Sequence, residues 1–209
     1  MVRALLLTLA LLVGAGVAAR AATLRPPSLA EIDLVIADEP RQAIERAGRE
    51  LAKADSALAR FWALVGVARA QAMLEHPADA EAALARAERE LASSPQAQPG
   101  HHVWLELMRL QVLWPTLPPQ DSRQRMNAVM QGLRTVGDDE LACEAHQTDL
   151  ALLIDANSLD EAWLAAEAVE ACGRELGRPV TQATALSAMG SVASRGHARI
   201  HLDGGARLD

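Results

Sequence analysis

The stretch Asp55–Ala92, DSALARFWALVGVARAQAMLEHPADAEAALARAERELA, decides the fold. Leu58, Phe61, Trp62, Val65, Ala68 and Met73 stripe its first half at helical spacing, with Asp55 placed to cap the start. Leu84, Ala87 and Leu91 do the same in the second half. Glu75-His76-Pro77 separates the two runs, because proline fits the first turn of a helix and not its interior. The stretch therefore reads as two antiparallel helices. Its closing phrase, Arg89-Glu90-Leu91, returns as Arg49-Glu50-Leu51, as Arg174-Glu175-Leu176 and, in degenerate form, as Gln131-Gly132-Leu133. Leu51, Leu91, Leu133 and Leu176 are 40, 42 and 43 residues apart. Seven residues before each stand Ile44, Leu84, Met126 and Val169, and four before stand Ala47, Ala87, Val129 and Cys172. One helix type is used four times, and a repeat of this length marks an architecture in which each unit buries its apolar face against its neighbours.

Working outward, Ser28 is placed to cap a short helix with Leu29, Ile32, Leu34 and Ile36, and a second helix runs from Pro40 to Lys53. Ser93 to Gly100, holding Pro95 and Pro99, reads as a loop. Val103–Trp114 and Asp121–Thr135 form a third pair, joined by a proline-rich connection through Pro115, Pro118 and Pro119. A fourth runs from Asp138 to about Ala156, turns at Asn157-Ser158 and returns from Leu159 to Leu176, where Gly177 and Pro179 stop it. A last helix spans Val180 to about Ser194. The expected fold is all-α, a right-handed solenoid of antiparallel helix pairs with a period of about 42 residues. Its domain occupies residues 28–195, after a spacer at 22–27 and before an irregular or truncated tail at 196–209, where Gly204-Gly205 disfavours a helix.

Half of the 209 residues are hydrophobic, enough for one substantial core, but Tyr is absent and Phe61 is the lone phenylalanine. Ala and Leu must fill that core, with Trp62, Trp104, Trp114 and Trp163 as the large side chains. Met1-Val2-Arg3, the apolar run Ala4–Ala19 and the small residues of Ala19-Arg20-Ala21 read as a signal peptide over residues 1–21. Cleavage there implies a periplasmic or secreted protein, touching the membrane only if the leader is uncleaved. Without Arg3 and Arg20, 18 basic residues face 27 acidic ones, a net charge of −9. Such a surface repels phosphates, which argues against nucleic acid as a partner.

Small residues at the helix crossings carry a family resemblance. Leu64, Val67 and Ala68 on one helix, and Ala80, Leu84 and Ala87 on the next, fall where tetratricopeptide repeats place their packing residues, so the chain resembles that family in a long-period form. The leader, the Ala-rich repeats and Asn157-Ser-Leu-Asp-Glu-Ala-Trp163 look most similar to the exported sensory regions of some bacterial repeat-containing diguanylate cyclases. The Gly-Gly-Asp/Glu-Glu-Phe cyclase signature is absent, since Gly204-Gly205 is followed by Ala206-Arg207. The resemblance implies a sensory scaffold that binds a peptide or protein segment without catalysis or cofactor. Its alternative is a truncated fragment of a membrane-bound cyclase; an enzyme of unrecognised type ranks lower.

No Gly-rich phosphate loop, zinc-helix motif or nucleophile elbow occurs, and no catalytic residue is assigned. His197, His201 and Asp203 are too few and too close to glycines to make a metal site. In a repeat scaffold the groove is lined mainly by the first helix of each pair, which nominates Arg60, Arg69, Trp104, Met108, Gln111, His146 and Asp149. Cys143 and Cys172 are centred on the turn at Asn157-Ser158 and so stand level on antiparallel helices. Two readings stay open for them: a disulfide, as an oxidising compartment allows, or two buried free thiols, since Cys172 occupies a column filled elsewhere by Ala and Val.

Overall fold

The computed structural model describes residues 24–36 and 38–205, with side chains as far as Arg195 except those at 28, 30, 31, 33 and 34. Among the described residues the structure is helical and without strands. In chain order come α1 (Pro27–Ile36), α2 (Pro40–Lys53), α3 (Ala57–Met73), α4 (Pro77–Ser93), α5 (Pro99–Leu113), a single 3-10 turn (Trp114–Thr116), α6 (Pro119–Leu133), α7 (Asp139–Asp155), α8 (Leu159–Glu175) and α9 (Pro179–Gly205). The leader read at residues 1–21 lies outside the described residues. None of the described helices is long and apolar enough to cross a membrane.

Punctuation explains the boundaries. Helices α2, α4, α5 and α6 each begin with proline in the first turn, where the missing N–H has no partner to lose. Ser56, not Asp55, caps α3, its Oγ accepting the Ala59 N–H at 3.1 Å. Asp138 caps α7 in the same way through Leu141. Helices α3, α7 and α8 end alike: the N–H groups of His76, Ser158 and Arg178 reach back to the carbonyls of Gln71, Leu153 and Gly173. This cap needs a left-handed residue just before it, and Glu75, Asn157 and Gly177 supply it with φ of 59°, 54° and 66°.

Several boundaries depart from expectation: Ser28 lies inside α1 rather than capping it, and α6 runs from Pro119 to Leu133 rather than from Asp121 to Thr135. Gln98 caps α5 through a reciprocal pair with His101, so the Ser93–Gly100 loop closes two residues earlier than its glycine suggested. The backbone of α9 continues to Gly205, through the part of the 196–209 tail expected to be irregular. No proline follows Pro179, and a glycine weakens a helix by only about 1 kcal/mol relative to alanine. The side chains of His197, His201 and Asp203 lie outside the described set.

Each helix packs on the next, and α1 with α3, α3 with α5, and α5 with α7 also touch. The repeated columns lie in these seams: Leu84, Met126 and Val169 are buried, as are Ala47, Ala87 and Val129. Leu91 is buried, while Leu51, Leu133 and Leu176 are half-buried. One apolar core runs from α1 to α7, and a second gathers Leu150 and Leu153 of α7, Ala162, Ala165, Ala166 and Val169 of α8, and Ala185 and Val192 of α9. Alanine makes the seams narrow. Ala43, Ala47, Ala68, Ala80, Ala87, Ala145, Ala162 and Ala166 have no exposed surface, which lets neighbouring backbones approach closely. Trp163 is the exception among the tryptophans expected inside. It stays partly exposed, with Nε1 donating to Glu167 on its own helix, and Met73 at the C-terminal end of α3 is exposed as well.

A disulfide joins Cys143 of α7 to Cys172 of α8, with Cα atoms 5.5 Å apart and a sequence separation of 29. It crosses the region where the first core hands over to the second. Closing a loop of this size stabilises a fold by about 3 to 4 kcal/mol on chain-entropy reasoning. Urea unfolding with and without reductant should therefore differ by roughly that amount, and the Cys143→Ser/Cys172→Ser double variant should show no such difference. Identical oxidised and reduced midpoints would show that the bridge carries no stability.

Candidate ligand-binding site

Polar side chains are scarce inside this helix stack, and one group of them gathers across α3, α5 and α7. Arg69 of α3 pairs with Glu144 of α7 at 2.9 Å, although 75 residues separate them. Gln111 of α5 stands between these helices and donates its amide to Glu144 at 3.3 Å and to the Thr148 hydroxyl at 2.8 Å. One turn before Glu144, Glu140 accepts a hydrogen bond from Arg178 in the α8–α9 connection. Three helices from three successive pairs thus contribute to a single charged seam. Glu140, Glu144 and Thr148, spaced four apart, lie along one stripe of α7.

The ion pair is largely screened from water, its side chains 20% and 14% exposed. Burial alone would raise the Glu144 pKa, but the Arg69 and Arg25 charges and the Gln111 amide outweigh it and hold the carboxyl below its usual range. Glu144 is therefore a fixed anion at neutral pH.

The segment before α1 lies over this face. The Leu24 N–H donates to Asp138 Oδ2 at 3.0 Å, while Oδ1 of the same buried carboxylate accepts the Leu141 N–H of the α7 cap. The Leu24 side chain fills a hollow over Gly100, where an added Cβ would overlap its terminal methyl and crowd Val136. The Arg25 guanidinium is buried 5.8 Å from the centre of the Trp104 ring. Beneath it Trp104 stacks edge-on against Trp62, which meets Phe61 and His101 in the same way. Burial first, and then the Arg69 charge, push the Arg25 pKa down to about 10, with Glu144 and Glu140 pulling the other way. A cleft of about 400 Å³ opens beside this segment, bordered by Leu24, Pro26 and Leu29, by Lys53, Asp55 and Ser56, and by Trp62 and Gln96.

The seven nominated groove residues divide. Arg69 and Gln111 converge on Glu144 as just described. Trp104 and Met108 do not line an open surface, because both are fully buried, Trp104 under Arg25. Arg60 turns toward the second helix of its own pair and binds Glu90 at 2.8 Å. His146 and Asp149 lie on another side of α7 from Glu144 and act on each other, with Asp149 also in the fields of Arg123 on α6 and Glu161 on α8. Burial lowers the His146 pKa and raises that of Asp149. The rule that the first helix faces the groove fails for them because α7 packs against neighbours on several sides, which leaves its rotation unspecified.

Sequence reasoning missed Arg25, Asp138, Glu140, Glu144, Thr148 and Arg178. One signal was present: on α7 Glu140, Glu144 and Thr148 recur at a spacing of four, one polar stripe along a helix that also carries Leu141, Leu150, Leu152 and Leu153. The segment at 22–27, expected to be a spacer, is a packed part of the structure from Leu24 on. Among the described residues no group of three or more His, Cys, Asp or Glu is arranged to hold a metal ion. No protein-family model, curated protein or solved structure matches the chain.

His101 underlies the aromatic floor, with Nδ1 accepting the Gln98 N–H at 2.9 Å. Burial depresses its pKa below the ordinary 6.5. As pH falls through that value the unfolded chain takes up a proton before the folded one, so stability is complete above about 6.5 and declines below it. His146 is shifted in the same direction. His101→Gln should accordingly reduce, without abolishing, the fall in melting temperature between about pH 7.5 and 5.5. A wild-type slope in the variant would remove His101 from the account.

Proposed function

We propose that this chain is an exported, tetratricopeptide-like helical scaffold that binds an extended peptide or protein segment across the face shared by α3, α5 and α7. The contact pattern supports the solenoid: each helix touches the next, and the alternate helices α1, α3, α5 and α7 touch one another in series. In a right-handed stack of helix pairs the alternate helices form the inner wall, and an inner wall built from successive repeats is a ready binding surface. One observation carries the binding role. The face holds a short irregular stretch of polypeptide already, through a main-chain hydrogen bond, an apolar hollow and a charged seam. These are the elements by which folded proteins recognise peptides: backbone contacts supply affinity and side-chain pockets supply selectivity.

Charge fits the same reading. Fixed ions aligned on a buried surface orient a ligand and exclude wrong partners more than they add affinity. Arrayed on separate helices of a stacked framework, they are preorganised, so little ordering remains when a segment binds. The chain acts by holding, as the sensory portion of a signalling protein would, and has no catalytic role in this proposal.

Selection from a random peptide library on the purified chain tests the proposal. Enriched peptides should bind with dissociation constants in the micromolar range, and Glu144→Ala should weaken them by about tenfold while Arg174→Ala on the outer surface of α8 leaves them unchanged. Failure to enrich any peptide, or equal loss from both variants, would contradict it.

A further inference from the structure

Residues 24–26 form no regular element, yet they are treated by the rest of the molecule as a ligand would be. Asp138 spends one carboxylate oxygen on its own helix cap and the other on the Leu24 N–H, a contact that any residue with a main-chain donor could make. The next recognition is by shape. Gly100, in the first turn of α5, leaves the hollow that receives the Leu24 methyl groups, and even an alanine there would encroach on it. The third is by a flat cation: the Arg25 guanidinium lies over Trp104, with the carboxylates of Glu144 and Glu140 in its field. Backbone, aliphatic and guanidinium subsites stand in order on α7 and α5.

On the reading of this face as the peptide-binding surface, we propose that these subsites are the ligand site itself, that it takes a short segment presenting an aliphatic residue followed by arginine, and that Leu24 and Arg25 occupy it in cis. The cis occupant is suited to exchange. It is tethered on one side by Pro26-Pro27, which cannot donate main-chain hydrogen bonds to the scaffold. Its guanidinium is held in the field of a like charge, Arg69, as well as beside the carboxylates of Glu144 and Glu140. The cleft of about 400 Å³ bordered by Leu24 and Pro26 gives a ligand in trans room for contacts beyond the two residues that the cis segment presents.

A tethered occupant lowers apparent affinity for a ligand in trans by the fraction of molecules in which the site is open. The probe is the labelled pentapeptide Thr-Leu-Arg-Pro-Pro, which copies residues 23–27, with Thr-Leu-Ala-Pro-Pro as control, read by fluorescence anisotropy on the full chain. A Leu24→Gly/Arg25→Ala double variant, checked for helicity by circular dichroism, should bind the probe at least about tenfold more tightly than wild type does. It should prefer the probe over the control by about tenfold or more, and Gly100→Ala in the same background should weaken the probe by about tenfold by filling the hollow that receives its leucine.

If the double variant loses its fold, the wild-type chain serves instead: a millimolar excess of probe should shift the amide resonances of Leu24 and of Leu141, which share Asp138, and the control should not. A folded double variant that binds probe and control alike, or neither, overturns the proposal, and so do unmoved Leu24 and Leu141 resonances in wild type. Failure here is separable from failure of the scaffold itself, because library-selected peptides that bind independently of Gly100 and Arg25 would leave peptide binding intact and remove only this site.

Discussion

Close approach of helices across alanine is the constraint on which the structure rests. The seams are lined by alanines with no exposed surface, and the aliphatic columns from Ile44 to Val169 fill what space the alanines leave. Burial of this kind is worth about 25 cal/mol per Å² of apolar surface and has no direction of its own. Direction comes instead from the helix ends, where prolines start helices and left-handed Glu75, Asn157 and Gly177 reverse the chain after about the same number of residues each time. Thin seams and the similar lengths of α3 to α8, 15 to 17 residues each, align the pairs, and that alignment brings α3, α5 and α7 to one face.

That face is where the protein departs from pure packing. Charged groups withdrawn from water are destabilising unless they are paired and hydrogen-bonded. Here Glu144 is answered by Arg69 and Gln111, and Glu140 by Arg178. Replacing such a buried pair by aliphatic side chains is often neutral or stabilising, so stability alone does not call for the seam, in keeping with the recognition surface proposed above. The segment at Leu24 and Arg25 completes the argument, since it meets this surface with a main-chain donor, an apolar side chain and a cation over an aromatic ring.

The helices were legible in the sequence to within a few residues because three independent signals agree: apolar periodicity, proline at the starts, and glycine or asparagine at the reversals. Pro40–Lys53 was read to the residue. The site was legible only in part. Arg69 and Gln111 were found because polar residues on the first helix of a pair stand out against Leu and Ala, but Trp104 and Met108 were misplaced, since nothing in their spacing says that Arg25 covers one and that both are buried. His146 and Asp149 were misplaced because their helix is packed on several sides, and helical periodicity alone cannot choose among them. Arg25 was invisible to the sequence reading, because a short stretch ahead of Pro26-Pro27 carries no periodicity, and only the folded chain brings it to Trp104. Cys143 and Cys172 stood level by their symmetry about Asn157-Ser158, and the structure joins them.

The central claim is that helices two pairs apart in the sequence meet in one charged seam. A double-mutant cycle on Arg69 and Glu144, using alanine at each and at both, measures this contact directly, because the two residues interact only if the stack places α3 and α7 on the same face. The expected coupling is about 1 to 3 kcal/mol in unfolding free energy, for a pair mostly withdrawn from solvent. Additive losses, with coupling near zero, would contradict both the stacking and the site built on it.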